Sequence, residues 1–150
     1  IDAGTTTGDM LKFLQVTRAV FVTNAVAHAQ SLAERGFKVF LVGGELKGST
    51  EAVIGNQAMN TLREYHFTKG FFGTNGITKK SGCTTPDANE AAVKSAAMQQ
   101  CRECYVLCDS SKFDNISSVT FADFYRSTVI TDKIPAGYED CSNLVEVPKE

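Results

Sequence analysis

No stretch of these 150 residues is long and apolar enough to cross a bilayer, and the chain does not open on the charged and apolar segments of a secretory leader. There is no cationic surplus either: 15 Lys and Arg face 17 Asp and Glu, a net charge of −2. A surface that grips a phosphate backbone needs clustered Lys and Arg, so any nucleic-acid contact belongs to another domain. Histidine is scarce, and neither His28 nor His66 lies near the Cys101-x-x-Cys104 pair to complete a zinc set, so no metal is expected. The cysteines Cys83, Cys101, Cys104, Cys108 and Cys141 are odd in number and cannot all pair, which points to reduced, buried thiols. An initiator Met is missing. The opening Ile1-Asp2-Ala3-Gly4 reads as the last residue of a strand entering a Gly/Thr loop, so the expectation is a piece of a longer, cytoplasmic protein.

What is there describes an ordinary globular chain. Hydrophobic residues make up 43% and charged residues 21%, and a chain of this length is expected to bury about 68 to 70% of its unfolded surface around one core. Short β-branched and aromatic runs recur at Ala19 to Thr23, Phe37 to Val42, Lys69 to Thr74, Tyr105 to Cys108 and Ser127 to Thr131. Most are followed by a helical pattern, which means βαβ units and a mostly parallel sheet flanked by helices. The first helix, Ala25 to Arg35, puts Val26, Ala29, Leu32 and Ala33 on one face and stops at Gly36. The second, Gln57 to Tyr65, uses Ala58, Leu62 and Tyr65. The third, Ala88 to Cys101, uses Ala92, Ala96 and Met98. The three prolines, Pro86, Pro135 and Pro148, all fall outside these strands.

Parallel strands bring every strand-to-helix connection to one rim, where ligands of open α/β sheets bind. The first loop there holds Asp2, Gly4, Thr5, Thr6 and Thr7. Glycine permits close backbone approach, a helix N-terminus offers free N–H groups, and the hydroxyls can donate to anionic oxygens. It is neither a Walker loop nor GxGxxG, and a Thr N-cap with a turn accounts for it equally well. Thr23-Asn24, Gly43-Gly44 and Thr74-Asn75-Gly76 follow at later strand ends, each also readable as a cap or turn. Glu90 and Lys94, four apart, make either a helical ion pair or two groups facing a pocket. Asp109-Ser110-Ser111-Lys112 adds a carboxylate, two hydroxyls and an ammonium. Together these loops supply the mixture that a phosphorylated polyol requires.

The motifs IDAGTTT, VTN, LVGGEL, FFGTNGI, GCTTPDANEAAVK, YVLCDSSKF and VITD, in this order and spacing, resemble the C-terminal effector domain of DeoR-family repressors over nearly the whole chain. Within that family, FKVFLVGGELKGSTEAVIG and HFTKGFFGTNGITKKSGCTTPDANEA look closest to repressors of fructose operons. The resemblance implies a fold similar to ribose-5-phosphate isomerase and glucosamine-6-phosphate deaminase, and a sugar phosphate such as fructose 1-phosphate bound at the rim. It also implies operator DNA bound through an N-terminal winged helix-turn-helix outside these residues, and a symmetric oligomer. Ligand-binding positions carried over from it are Asp2 to Thr7, Thr23, Asn24, Gly43, Gly44, Thr74 to Gly76, Glu90, Lys94 and Asp109 to Lys112, with no cofactor and no catalytic residue. The rival reading is a sugar-phosphate isomerase or deaminase. Such enzymes need a carboxylate base, where this chain has Thr74-Asn75-Gly76-Ile77, and an amide cannot take a proton. A protein-interaction module ranks third, since it has no need of Gly/Thr/Asn chemistry at successive strand ends.

Overall fold

A computed structural model describes residues 1–15 and 17–149. Four parallel strands form its centre, in the order β11 (Leu144–Glu146), β10 (Thr128–Thr131), β8 (Cys101–Leu107) and β5 (Phe67–Gly73). A second parallel pair, β1 (Val20–Thr23) and β2 (Lys38–Leu41), lies beyond β5. The chain's first residues stand between the two groups: the Ile1 amine donates to Val22 O at 2.7 Å and Asp2 N to Phe71 O at 2.9 Å. The helices are α1 (Thr5–Leu11), α2 (Val26–Glu34), α3 (Asn56–Arg63) and α4 (Ala88–Gln99). This is the α/β class, a parallel sheet flanked by helices.

Local sequence explains most boundaries. α2 buries Ala29 and Leu32 and ends where Gly36 turns to φ +83°. There Gly36 N–H donates to Ala33 O and Phe37 N–H to Leu32 O, each at 3.0 Å, so the last turn's carbonyls are satisfied. Ala33, expected on the buried face, is exposed, because α2 packs over only two strands and the covered stripe stops at Leu32. α4 is capped by Asp87, whose carboxylate accepts from Asn89 N and Glu90 N. It buries Ala91, Val93, Ala96 and Met98, while Ala92 stays half-buried. Cys101, expected to end that helix, instead begins β8 in register with Phe67.

Two antiparallel additions lie outside the βαβ pattern. β3 (Glu45–Lys47) and β4 (Ala52–Ile54) form a hairpin. β6 (Gly76–Thr78), β7 (Gly82–Thr85) and β9 (Val119–Ala122) form a three-stranded sheet over the segment expected to be a long loop at 79–89. The main apolar cluster joins that sheet to the centre through Phe72, Ile77, Cys83, Val106, Phe121 and Val129. All five cysteines are buried and free. Burial pushes the Cys83 and Cys108 thiols up to about 12, so both stay protonated and unreactive at neutral pH. Among the described residues no helix is long and apolar enough to cross a membrane.

Candidate functional site

The loops at one rim enclose a cavity of about 920 Å³, at the large end of the range for small-molecule sites. Its walls come from the start of α1, the end of β5, the first turns of α4, the β3–β4 turn at 47–51, and Lys112 in the turn after β8. No side chain caps α1, so the N–H groups of its first turn stay available beside the exposed Thr5 and Thr6 hydroxyls.

Of the residues expected at a ligand site, Gly4, Thr5, Thr6, Thr74, Asn75, Glu90, Lys94 and Lys112 line this cavity. The others lie behind it or elsewhere. Thr7 is fully buried, its hydroxyl reaching Asp2 O at 2.8 Å and Gly4 O at 3.1 Å. Thr23 Oγ1 donates to Ile1 O at 2.6 Å. Asn24 Nδ2 donates to Val53 O at 3.1 Å, while its Oδ1 accepts from Ala3 N at 3.2 Å. These three tie the first loop to β1 and β4. Gly43 and Gly44 make the turn into β3, with Gly44 packed beneath Ile54 O. Gly76 starts β6 against the Asn115 main chain. Asp109 caps the turn at 110–112, accepting from Ser111 N at 2.8 Å and from the Ser111 hydroxyl. Those two donors hold its carboxyl below the usual range.

Glu90 and Lys94 do not pair with each other. Lys94 Nζ bonds the buried Asp2 carboxylate, donates to Gly73 O at 3.2 Å and lies 5.3 Å from the centre of the Phe121 ring. Asp2 also accepts from Gly73 N at 3.1 Å. Glu90 instead receives Lys47 Nζ at 3.1 Å and Thr50 Oγ1 at 3.0 Å, so the hairpin turn is tied across the cavity to α4. Lys47 reaches Asp87 at 3.1 Å as well, and these two carboxylates raise its pKa. The cavity's cations are therefore Lys12, bound to Asp9, Lys47, Lys94 and Lys112. Lys112 makes no ion pair among the described residues.

His28 also lines the cavity, although the sequence reading passed over it. Its Nε2 lies 3.2 Å from Thr7 Oγ1. The single Thr7 proton is committed to a carbonyl, so the ring nitrogen is the donor. Burial of the ring holds its pKa below the ordinary value. The unfolded chain therefore takes up this proton at a higher pH than the folded one. The His28 contribution is complete above about pH 6.5 and is lost as pH falls from there through the depressed folded value. Ring-proton NMR should show the low pKa, and His28→Gln should flatten the fall in urea midpoint between pH 7.5 and pH 5.5.

The turn at 47–51 is the other part of the site that the loop argument missed. It belongs to an antiparallel hairpin, and the strand-end rule for parallel sheets does not reach it. The available signal was the polar run Lys47-Gly48-Ser49-Thr50 between two short apolar stretches.

Comparison with known proteins agrees with this architecture. The model of the DeoR C terminal sensor domain matches residues 1–133. The chain is 42% identical over 132 residues to an uncharacterized HTH-type transcriptional regulator, FruR, of Bacillus subtilis (strain 168), covering 87% of this chain and 53% of that protein. It is 31% identical over 140 residues to the lactose phosphotransferase system repressor of Streptococcus mutans, covering 91% and 54%. It is 29% identical over 140 residues to a putative aga operon transcriptional repressor of Escherichia coli O157:H7, covering 91% and 52%. The chain thus spans about half the length of the curated relatives it matches, and these three are named as transcriptional regulators or repressors. With the family model covering nearly the whole chain, these 150 residues belong to the DeoR C-terminal sensor domain family.

Proposed function

We propose that this chain is the ligand-sensing part of a sugar-operon repressor and binds a phosphorylated sugar in the rim cavity. The observation that carries the proposal is the uncapped first turn of α1, with the Thr5 and Thr6 hydroxyls, sharing a cavity with Lys112. Main-chain N–H groups, hydroxyls and one uncommitted ammonium suit a phosphate dianion. Asn75, Thr74 and the hairpin's Ser49 and Thr50 supply polar groups for a polyol. The names of the relatives, which include a lactose phosphotransferase system repressor, support a carbohydrate effector.

Operator contact falls to chain outside these residues, in keeping with the net charge of −2. The effector acts by population shift: it binds one arrangement of a symmetric oligomer better, and that preference repositions the DNA-binding parts. No catalytic role is assigned. Asn75 Oδ1 accepts from Thr85 Oγ1 at 3.1 Å, and Glu90 is held by Lys47 and Thr50.

Thermal unfolding against a panel of sugar phosphates, fructose 1-phosphate first and each beside its unphosphorylated sugar, tests this reading. Ligand at a hundredfold over its Kd adds about 2.7 kcal/mol, a rise of roughly 5 to 11 °C for a domain of this size. Stabilisation by one phosphorylated sugar, recovered unchanged, is the expected result. Recovery of a converted sugar would favour the isomerase reading, and indifference to every phosphate would end the proposal.

A further inference from the structure

Lys112 makes no ion pair among the described residues, so its aim into the rim cavity is set by the turn that carries it. Where that turn begins, Ser110 N donates to Asp132 Oδ1 at 2.6 Å, just beyond the end of β10. Where it ends, Phe113 is buried and bridges Ile77 of β6 in parallel. Asp114 follows at φ +61°, a left-handed conformation that a residue other than glycine keeps where its surroundings hold it.

Tyr138, 24 residues further along the chain, supplies that hold: its phenol donates to Asp114 Oδ1 at 2.8 Å. The residue is only 5% exposed, and its ring meets Phe113 edge-on with 4.9 Å between centroids. Burial first, and then the bond to Asp114, push the phenol up to about 12, so it stays protonated and remains the donor around neutral pH. Gly137, at φ +90°, turns the chain just before it. Lys79, in the β6–β7 turn, donates to Gly137 O at 2.5 Å and lies 5.1 Å from the centre of the Tyr138 ring. The segment after β10 is thus fastened to the small antiparallel sheet, and from there its phenol reaches back to the exit of the Lys112 turn. Packing against Phe113 would be served equally by phenylalanine. The hydroxyl adds a fixed point two residues from the cation.

We propose that Tyr138 is a positioning residue of the rim site: through Asp114 it fixes the end of the turn that aims Lys112 into the cavity. The proposal rests on the phosphate reading of that cavity. A lysine side chain has several rotatable bonds, and ordering it on a ligand costs conformational entropy. A main chain already fixed at both ends of the turn leaves only the side chain to be ordered, which is how groups behind a site raise the affinity of those that touch the ligand.

Inorganic phosphate titrated into the full-length protein at constant ionic strength tests the assignment. Lys112→Gln should weaken phosphate binding at least about tenfold, the loss of a charge-assisted contact. Tyr138→Phe keeps the ring and should weaken binding about threefold to tenfold, through the loss of one hydrogen bond behind the site. The double variant should bind no more weakly than Lys112→Gln alone, because both changes act on the same contact. Binding indifferent to Lys112→Gln would overturn the phosphate reading of the cavity and the brace that rests on it. Binding that falls with Lys112→Gln but not with Tyr138→Phe would overturn the brace alone, as would losses that multiply in the double variant. If Tyr138→Phe does not fold, Asp114→Gly takes its place, since glycine adopts φ +61° freely and removes only the acceptor.

Discussion

Lys94→Met is expected to lower the unfolding free energy by about 3 to 5 kcal/mol, the cost of leaving a buried carboxylate without its cation. Asp2 and Lys94 are both almost fully buried, with side-chain exposures of 5% and 8%. Lys94 is the cation bonded to the Asp2 carboxylate, which also accepts from the Gly73 N–H. Domains of this size are stable by only about 5 to 15 kcal/mol, so this one change removes a large part of the total. The informative control is the double variant Asp2→Asn with Lys94→Met, which removes both charges. It should lose less than Lys94→Met alone in urea denaturation. A double variant as unstable as the sum of the two singles would mean that the pair is not coupled and that Lys94 acts through packing on Phe121.

Gly76→Ala is expected to be comparably damaging. A Cβ built there meets Asn115 O at 2.2 Å and Thr84 Oγ1 at 2.9 Å, and the nearer contact is main chain that cannot step aside. Moving the 115 segment breaks further bonds, because Ser117 N donates to Thr84 Oγ1 at 2.9 Å and Asp114 N to Ile77 O at 3.0 Å. A loss of at least about 3 kcal/mol follows from overpacking of this severity, a fall in Tm of roughly 6 to 12 °C. The same experiment separates two roles for this glycine. If it served only to let a ligand approach, stability would be kept while ligand-induced stabilisation disappeared.

How much of this could be read beforehand depends on which elements announce themselves. The five strands of the parallel arrangement expected from sequence are present, because each is a β-branched or aromatic run ended by small residues. β7 could not be seen the same way. Its residues Gly82, Cys83, Thr84 and Thr85 are all buried, yet two are hydroxylic and one is glycine, so no apolar alternation marks the strand. Their polarity is absorbed internally: Thr84 Oγ1 serves Gly76 O and Ser117 N, and Thr85 Oγ1 serves Asn75. β11, three residues long, and the β3–β4 hairpin are too short to carry a periodic signal. The same reasoning divides the site. Thr5, Thr6, Thr74, Asn75 and Lys112 were reachable because strand ends of a parallel sheet share one rim. Thr7, Thr23 and Asn24 were drawn in by the same rule, and the structure spends them on main-chain partners behind the cavity. A hydroxyl or amide at a strand end is equally suited to either use, and only the fold decides which.

Lys94 lines the rim cavity and also a second cavity, of about 420 Å³, that opens between β1 and β5. A side chain common to two cavities links their occupancies in free energy. Whatever factor an occupant of the second cavity contributes to the affinity of the rim, a ligand at the rim must return to the binding of that occupant. An affinity measured at the rim with the second cavity empty is therefore the affinity of one corner of a thermodynamic square.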